Sequence, residues 1–475
     1  MHSASERRTY RIYISQWKKY TNISWLYCSD FIWEKKNSWR CTASKHQASA
    51  VSHQAHCVCS RRIAHTASNA ICKRNRASMP RRNWVYASAI YSPRAMKQKK
   101  PIVIIEKNTA KRVKAIMALA KKQKGQTLII VPEVAMLNDY LGLGTTQILI
   151  GTQKSLFLSF ENLTTIVLDE EQYESHKSWN QYPRLHTGRG ARELAALTGA
   201  QLVYASSYPS LALRYMIESK ACEIKIHNPI EIQPETIPFS FEDRKWKRAL
   251  PNDAGTRIRA WARGGKKVLV LYNKKDNQKI QEALFFRLSK KAKENISLGT
   301  ASLLTDAMHA AYDRVVWISP ELTIRAIDYR SSERARILAA RLQNITPKHP
   351  ITVVTRSAEL TQRILGVSDS LWYEHVLKER RMLNLPPFTD LVRLTIRDKS
   401  STEAYARAET VRTMLQDAFA KIPNTRAFGP YQEKGPKKSR LVEWHILISG
   451  QLAAVAEAYK DLPIDSADVD PHRVV

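Results

Sequence analysis

Two consecutive acids close an apolar run, and this combination of residue types is suited to phosphate chemistry. The octet TIVLDEEQ (residues 165–172) places Asp169 and Glu170 directly after four β-branched or aliphatic residues. The run predicts a buried parallel strand, which would deliver both acids to the carboxyl edge of a sheet. There the first acid would hold Mg²⁺ through its water shell, and the second would orient a water molecule toward a γ-phosphate. The octet alone also fits an ordinary strand that ends in a solvated acidic turn.

The stretches around the octet alternate between strand and helix patterns. Short β-branched runs predict further strands at residues 101–105, 127–131, 147–150 and 201–205. Residues 111–122 carry Val113, Ile116, Met117 and Ala120 at helical spacing. This alternation predicts βαβ units with a parallel sheet, and therefore a RecA-like α/β lobe that holds the acids at its edge.

The charge of the chain indicates its class of partner. The 475 residues carry a formal net charge of +33. Such an excess predicts a polyanionic partner, and it favours nucleic acid over an anionic membrane surface. The sequence contains neither an apolar run of membrane-spanning length nor a signal pattern at its start, so we expect a cytoplasmic protein with no membrane partner.

Residues 1–100 differ in composition from the rest. They contain no glycine, one leucine and three acids, against twenty Lys and Arg. Such a stretch can build little core, so we predict a poorly structured basic segment; a shifted reading frame would give the same bias. Five of the six cysteines lie here without the paired Cys-x-x-Cys spacing of zinc knuckles, so neither a zinc site nor a disulfide scaffold is predicted.

Several short segments from residue 131 onward resemble, in their order, the PriA (primosomal protein N′) family of superfamily II DNA helicases, which act in bacterial replication restart. In the first lobe they are VPEVA (131–135), GTQKSLF (151–157), DEEQ (169–172), Lys177, PRLH (183–186) and SSYPS (206–210). Further along they are KVLVL (267–271), ISLGT (296–300), DYRSSER (328–334), LPPF (385–388), FGP (428–430) and DVDP (468–471). The likeness covers residues 101–475, while residues 1–100 do not match the family's DNA 3′-end-binding domain.

The resemblance implies an α/β fold with two RecA-like parallel-sheet lobes followed by a small α+β C-terminal domain. The corresponding ranges are 1–100 for the basic segment, 101–225 for lobe 1, 226–260 for a connector, 261–375 for lobe 2 and 376–475 for the C-terminal domain. It also implies ATP and Mg²⁺ as cofactors, and forked or single-stranded DNA, a single-strand-binding protein and a replicative helicase loader as partners.

The resemblance assigns roles to particular residues. Asp169, as the water-mediated Mg²⁺ ligand, and Glu170 would be catalytic, while Thr109, Lys111 and Arg341 would bind nucleotide. Ser206 and Ser207 would couple the lobes, and Lys177 would bind DNA. Arg184 would also pair with a DNA strand, although it could equally belong to a packed lid. A basic loop near the C-terminus is also suited to phosphate contacts, although a solvated lysine loop would look the same. Its cations are Lys434, Lys437, Lys438 and Arg440.

The sequence departs from the family at the parts that couple ATP to movement. A phosphate-binding loop needs glycine so that backbone N–H groups can wrap the phosphates, yet residues 106–112 read EKNTAKR. Residues 338–345 lack the Gly-Arg pattern that supplies transition-state arginines, and the zinc insert of lobe 2 is absent. Three interpretations stay open: a DNA-binding scaffold with eroded ATPase motifs, an active 3′-to-5′ helicase, and a non-functional remnant.

Overall fold

The computed structural model describes residues 31–33, 39–41, 99–178, 184–272, 277–304, 312–326, 328–420, 422–432, 441–459 and 462–471. The chain divides into two compact units, Met1–Val58 and Cys59–Val475. In the first unit, strands β1 (Phe31–Trp33) and β2 (Trp39–Cys41) pair antiparallel. Apart from these strands and residues 99 and 100, the segment predicted to be poorly structured lies outside the described residues.

The first lobe of the second unit is built on a parallel sheet in the order β5-β4-β6-β7-β3-β8. Its strands are β3 (Ile102–Glu106), β4 (Gln126–Ile130), β5 (Ile148–Gly151), β6 (Leu163–Leu168), β7 (Gln201–Ser206) and β8 (Glu223–Asn228). The predicted strands are confirmed because runs of Ile, Leu and Val fill both faces of the sheet. In this order β7 lies between β3 and the acidic strand β6, so the carboxyl ends of the three strands face a common site.

Helices cover the first sheet on both faces. They are α1 (Thr109–Lys121), α2 (Thr187–Thr198) and α3 (Leu211–Glu218), with short 3₁₀ turns at Val134–Tyr140, Gln153–Phe157 and Glu174–His176. The Asn108 side chain caps α1 by accepting from the N–H of Lys111, and Ser210 caps α3 in the same way. Helix α1 confirms the helix that the apolar spacing predicted for residues 111–122.

The second lobe contains another parallel sheet, in the order β11-β10-β12-β13-β9. Its strands are β9 (Pro234–Pro238), β10 (Val268–Leu271), β11 (Ile296–Gly299), β12 (Arg314–Ile318) and β13 (Ile351–Thr355). Its helices are α4 (Phe241–Lys245), α5 (Asn252–Arg263), α6 (Asn277–Phe285), α7 (Lys290–Glu294), α8 (Glu321–Ile324), α9 (Ser331–Ile345) and α10 (Ala358–Thr361). Residues 226–260, predicted as a connector, contribute strand β9 and most of α5 to this lobe.

The C-terminal part is an antiparallel sheet in the order β15-β16-β14-β17, packed on two helices. After α11 (Asp369–Met382) it comprises β14 (Asp390–Asp398), α12 (Ser401–Phe419), β15 (Arg426–Gln432), β16 (Val442–Gly450), α13 (Leu452–Tyr459) and β17 (Ser466–Val469). The predicted fold class, two parallel-sheet lobes followed by a small α+β domain, is confirmed. Within the described ranges, no helix is both long and apolar enough to cross a membrane.

Candidate functional site

The acids of the octet lie where the sequence predicts them, at the carboxyl end of β6. Asp169 and Glu170 follow directly after Leu168 and are both buried. Glu170 has a φ of 48°, in the left-handed region that a residue with a side chain adopts only when its surroundings hold it there. The turn aims both carboxylates into the space between β6, β7 and the start of α1, as their contacts show.

An arginine fills that space. Arg112, in the first turns of α1, is 1% exposed and sits between the two carboxylates. Its Nε donates to Oδ1 of Asp169 at 2.8 Å, and its Nη2 lies 2.8 Å from Oε1 of Glu170. Its Nη1 donates to the backbone carbonyl of Glu106 at 3.2 Å. The guanidinium therefore neutralises both acids and joins them to the end of β3.

The remaining carboxylate oxygens also accept hydrogen bonds within the protein. The Tyr140 hydroxyl donates to Oδ2 of Asp169 at 2.8 Å. Oε2 of Glu170 accepts from Nε2 of Gln172 at 2.6 Å, and from the backbone N–H and hydroxyl of Ser207 at 2.9 and 2.8 Å. Three of the four carboxylate oxygens thus accept hydrogen bonds from lobe 1, and the fourth, Oε1 of Glu170, is held by the ion pair with Arg112.

The electrostatics of the pocket follow from its burial. Burial alone would lower the pKa of Arg112, but the charges of Asp169 and Glu170 outweigh it and raise that pKa. Burial, reinforced by Asp169, raises the pKa of Tyr140 well above its usual value. Arg112 is therefore charged and Tyr140 is a neutral hydrogen-bond donor at neutral pH.

Two neighbouring groups titrate abnormally because they are desolvated. Burial raises the pKa of Glu171 to about 7, against the opposing effect of hydrogen bonds from the N–H and hydroxyl of Ser210. Burial lowers the pKa of His176 to about 4. The His176 ring donates from Nε2 to the backbone carbonyl of Asp169 at 3.0 Å, so this neutral imidazole supports the acidic turn.

In the segment that occupies the position of a phosphate-binding loop, several backbone N–H groups already donate hydrogen bonds within the protein. The N–H of Lys107 donates to the Asn228 carbonyl, and the N–H of Asn108 donates to Oε1 of the buried Glu106. The N–H groups of Lys111 and Arg112 donate to the side chain and the carbonyl of Asn108. These are the donors that a glycine-rich loop would turn toward phosphate.

Mg²⁺ and ATP do not fit this arrangement as the residues stand. A metal ion would have to displace Arg112 from Asp169. The phosphates would meet a loop in which the amides of Lys107, Asn108, Lys111 and Arg112 are already bonded, and which carries the carboxylate of Glu106. Within the parts of the chain that the structure describes, no group of three or more His, Cys, Asp or Glu side chains is placed to hold a metal ion.

The nucleotide-binding residues predicted from the sequence are only partly brought together. Lys111 is exposed at the start of α1, and Thr109 is the first residue of that helix. Arg341 reaches across from α9 of lobe 2, with its guanidinium 4.8 Å from the centre of the Tyr173 ring and Nη2 3.4 Å from Oε2 of Glu133. It is therefore at the lobe interface, although its partners there are protein groups.

The predicted coupling serines belong to the same network as the acids. Ser207 donates twice to Glu170, and the hydroxyl of Ser206 donates to Oε1 of Gln172 at 2.7 Å. The structure thus joins β7 to the acidic turn through Gln172. The coupling role itself stays a prediction.

Lys177, predicted as a DNA contact, is buried in the structure and bonds to protein groups. Its ammonium is 3% exposed and donates to the carbonyls of Arg184 and Val469 and to Oδ1 of Asp468. These three bonds use every N–H of the ammonium, so none is left for a phosphate. Arg184 lies 3.3 Å from the same Asp468, so both cations join lobe 1 to the C-terminal domain. The predicted loop cations Lys434, Lys437, Lys438 and Arg440 lie outside the described residues.

Sequence reasoning missed Arg112, although the sequence contains a signal for it. The buried positions of α1 are Arg112, Val113, Ile116, Met117 and Ala120, which form one i, i+3, i+4 stripe. The apolar stripe predicted from the sequence starts at Val113, and extending it back by four residues from Ile116 reaches Arg112. An arginine on the buried face of a helix requires a buried carboxylate, and the octet supplies two.

Comparison with known proteins adds little beyond these observations. No protein-family model and no curated protein matches the sequence. Among solved structures, the chain aligns with arterivirus nonstructural protein 10, a helicase in complex with DNA, at 9% identity and a TM-score of 0.30, over 56% of this chain and 63% of that one. It aligns with the Mycobacterium smegmatis helicase Lhr bound to single-stranded DNA and AMP-PNP at 13% identity and a TM-score of 0.29, over 60% and 45%.

A third aligned structure is the DExH-box NTPase HrpB of Escherichia coli, at 14% identity and a TM-score of 0.29, over 67% of this chain and 43% of that one. The chain therefore spans between 43% and 63% of the length of these three proteins. At such TM-scores the likeness carries no argument about activity or partners. The molecule is defined by its own sheets and site: a two-lobed α/β protein whose acidic centre is closed by an internal arginine.

Proposed function

We propose that this chain is a PriA-like, helicase-related DNA-binding protein that takes part in replication restart and primosome assembly without turning over ATP. The observation that carries the proposal is Arg112, whose guanidinium contacts both Asp169 and Glu170 at 2.8 Å. A helicase motor needs these two acids for Mg²⁺ and for the attacking water. Here they instead form a buried ion-pair network within lobe 1.

The binding part of the proposal is supported by charge. A net charge of +33 gives the chain a long-range attraction for polyanions that does not depend on ATP. Forked or single-stranded DNA is the proposed ligand, and a single-strand-binding protein and a replicative helicase loader are the proposed protein partners. The two lobes and the C-terminal domain would then act as a scaffold on DNA.

The test is ATP turnover by the purified chain with and without forked DNA, beside a DNA-binding titration at 50 and 200 mM salt. We expect no DNA-stimulated turnover, and fork binding that weakens steeply as salt rises because each phosphate contact releases counterions. The Asp169→Asn variant should leave turnover at the same background. Turnover that DNA stimulates and that Asp169→Asn abolishes would overturn the proposal.

An active 3′-to-5′ helicase is the second candidate, and one observation favours it. Arg341 projects from lobe 2 onto Tyr173 of lobe 1, at the face where a transition-state arginine would reach the acidic centre. In that case Arg112 would have to leave the acids when Mg²⁺ and ATP bind. Turnover by the wild-type chain that is lost on Arg341→Ala would favour this candidate.

A further inference from the structure

The strongest remaining feature is a cluster of cations at the carboxyl edge of the second sheet. The neighbouring strands β12, β13 and β9 end together there, and the segments that follow them carry Arg325, Arg356 and the run from Arg244 to Arg248. We call this the arginine surface, which consists of Arg244, Lys245, Trp246, Lys247, Arg248, Arg325 and Arg356. The carboxyl edge of an open parallel sheet is a common place for ligands.

Hydrogen bonds to two backbone carbonyls and one hydroxyl hold these cations beside one another. Nη2 of Arg244 donates to the carbonyl of Arg356 at 2.8 Å, and Nη2 of Arg356 donates to the carbonyl of Arg248 at 2.6 Å. Nη2 of Arg325 donates to the hydroxyl of Ser357 at 3.2 Å. A guanidinium has five N–H donors, so an arginine fixed by one such bond can present others to phosphate oxygens.

Aromatic side chains are interleaved with the cations and face outward. Trp246 is 65% exposed, and Phe241, at the start of the same short helix, is 79% exposed. The ammonium of Lys245 lies 5.9 Å from the centre of the Trp246 ring. An exposed aromatic ring among cations is the composition that binds single-stranded nucleic acid, because bases stack on the ring while the cations follow the phosphates.

Two of the acids near this surface point inward. Asp243 is buried, and its Oδ2 accepts from the N–H and hydroxyl of Ser240 as part of a helix cap. Glu321 is buried and accepts from the Thr355 hydroxyl. The exposed acids here are Glu242 and Glu359, and they are outnumbered by the exposed cations Arg244, Lys245, Lys247, Arg325 and Arg356. The net charge offered to solvent is therefore positive.

The backbone at Lys247 adopts a conformation that is unusual for a residue with a side chain. Lys247 has a φ of 48°, and it ends α4 in the left-handed position that glycine usually occupies. The N–H of Lys247 donates to the carbonyl of Arg244, and the N–H of Arg248 donates to the carbonyl of Asp243. A side chain in this conformation costs about 1 kcal/mol relative to glycine, so replacing Lys247 with glycine should stabilise the fold.

We propose that the arginine surface is a binding site for single-stranded nucleic acid. Trp246 is the stacking platform, and Arg244, Lys247, Arg325 and Arg356 are the phosphate contacts. This inference rests on the proposed DNA-binding function and locates it on lobe 2, away from the buried Lys177. It needs neither ATP nor the acidic centre of lobe 1.

The charge part is tested with the full chain and a fluorescent oligothymidylate, titrated across a series of salt concentrations. The double variant Arg244→Gln/Arg356→Gln removes two phosphate contacts, so the slope of log K against log salt should become shallower by about 1.4, at roughly 0.7 per contact. The matched control is Lys121→Gln/Lys122→Gln, which removes two exposed cations from lobe 1 and should leave the slope unchanged.

The stacking part is tested with Trp246→Ala and Trp246→Phe. The alanine variant should bind oligothymidylate about 5- to 150-fold more weakly, as loss of one base stack predicts, while the phenylalanine variant should retain most of the affinity. An abasic oligonucleotide of the same length should not distinguish the two variants, because it offers only phosphates.

Lys247→Gly separates binding from folding. The variant should unfold at a higher urea concentration than the wild type and yet bind oligothymidylate more weakly, which a merely structural lysine would not do. Wild-type binding that all these variants leave intact would overturn the inference and leave the proposed function standing. Absence of wild-type binding to any DNA would defeat both. Equal binding of duplex DNA, with no effect of Trp246→Ala, would show a general polyanion surface and overturn the single-strand assignment.

Discussion

At the scale of single residues, Arg112 decides what the acidic centre can do. A buried carboxylate stays ionised most readily when a cation pairs with it, and Asp169 and Glu170 are both paired with this one guanidinium. The ion pairs stabilise the burial of the acids, and a metal ion could bind there only by displacing Arg112. One cation therefore links the stability of lobe 1 to the proposed loss of ATP turnover.

Replacing Arg112 with methionine should destabilise the protein by about 3–5 kcal/mol, because two buried carboxylates lose their shared partner. The measurement is urea-induced unfolding at pH 7. The triple variant Arg112→Met/Asp169→Asn/Glu170→Gln removes the stranded charges, so we expect it to recover a large part of that loss. A single variant within about 1 kcal/mol of the wild type would contradict the account of the network.

The buried imidazole of His176 predicts a stability that declines in mild acid. Its pKa is about 4 in the folded protein, below the ordinary value of 6.5, so the unfolded chain takes up the proton first as the pH falls. The stability that the neutral imidazole contributes is fully present above pH 6.5 and is lost as the pH falls toward 4. By pH 5 the free energy of unfolding should have fallen by about 2 kcal/mol.

This expectation is checked by urea unfolding of the wild type and of His176→Gln at pH 7 and pH 5. The wild type should lose about 2 kcal/mol more than the variant between these pH values, because glutamine does not titrate. Other titrating groups, His445 among them, cancel in the comparison. Equal losses in the two proteins would show that His176 is protonated without cost.

At the scale of elements, helix α9 is the main connection between the lobes. Glu333 of α9 accepts from the N–H of Leu211 at the start of α3 and from Nη2 of Arg380 on α11, both at 2.8 Å. One turn further, Arg336 donates to the hydroxyl of Tyr208 at 2.8 Å and pairs with Asp369. Lobe 1, lobe 2 and α11 are thus held together by buried charges on one helix.

Glu333→Ala should loosen this connection, because it leaves Arg380 without its carboxylate and the first turn of α3 without an acceptor. Burial opposes ionisation of Glu333, but Arg380 and the Leu211 N–H outweigh it and lower the pKa of its carboxyl, so it is charged at pH 7. We expect faster amide hydrogen exchange at the N-terminus of α3, with exchange in the centre of β4 unchanged. Glu359→Ala, at an exposed acid of lobe 2, is the matched control. Unaltered exchange in α3 would count against the connection.

At the scale of the whole second unit, the C-terminal domain is joined to lobe 1 by ion pairs. Lys177 pairs with Asp468 at 2.7 Å, and Arg189 of α2 bonds to both Asp470 and Asp390. The charge of Arg189 offsets the burial of Asp470 and lowers the pKa of that carboxyl. The paired residues are 201 to 291 positions apart along the chain, so these contacts join distant segments of the sequence.

Lys177→Met distinguishes a structural lysine from a DNA contact. We expect a loss of about 3–5 kcal/mol in stability, because Asp468 loses its buried partner. The salt dependence of oligothymidylate binding, measured below the unfolding temperature of the variant, should stay as in the wild type. A slope shallower by about 0.7 would instead return Lys177 to the DNA-binding residues.

Much of the fold could be predicted from local patterns. Aliphatic runs such as residues 127–131 and 201–205 bury both faces of a parallel sheet. The spacing of the apolar residues from Val113 to Ala120 determines which face of the helix is buried. The position of Asp169 and Glu170 at a strand end follows from the same reasoning, because a strand must stop where its apolar run stops.

The partners of those acids depended on the tertiary structure. Arg112 and Asp169 are 57 residues apart, and only the placement of β7 between β3 and β6 directs α1 toward the acids. The same holds for Lys177. The sequence suggested a DNA contact because it gave no sign that Asp468, 291 residues further along, pairs with this lysine.

By itself, the sequence determined the strands, the class of fold, the acidic strand end and the excess of positive charge, because these depend on residue type and spacing over short distances. The tertiary structure alone decided which charged side chains form ion pairs inside the protein and which remain on its surface. A cation attracts any acid within a few ångströms, and the chain can bring such acids from any distance along the sequence.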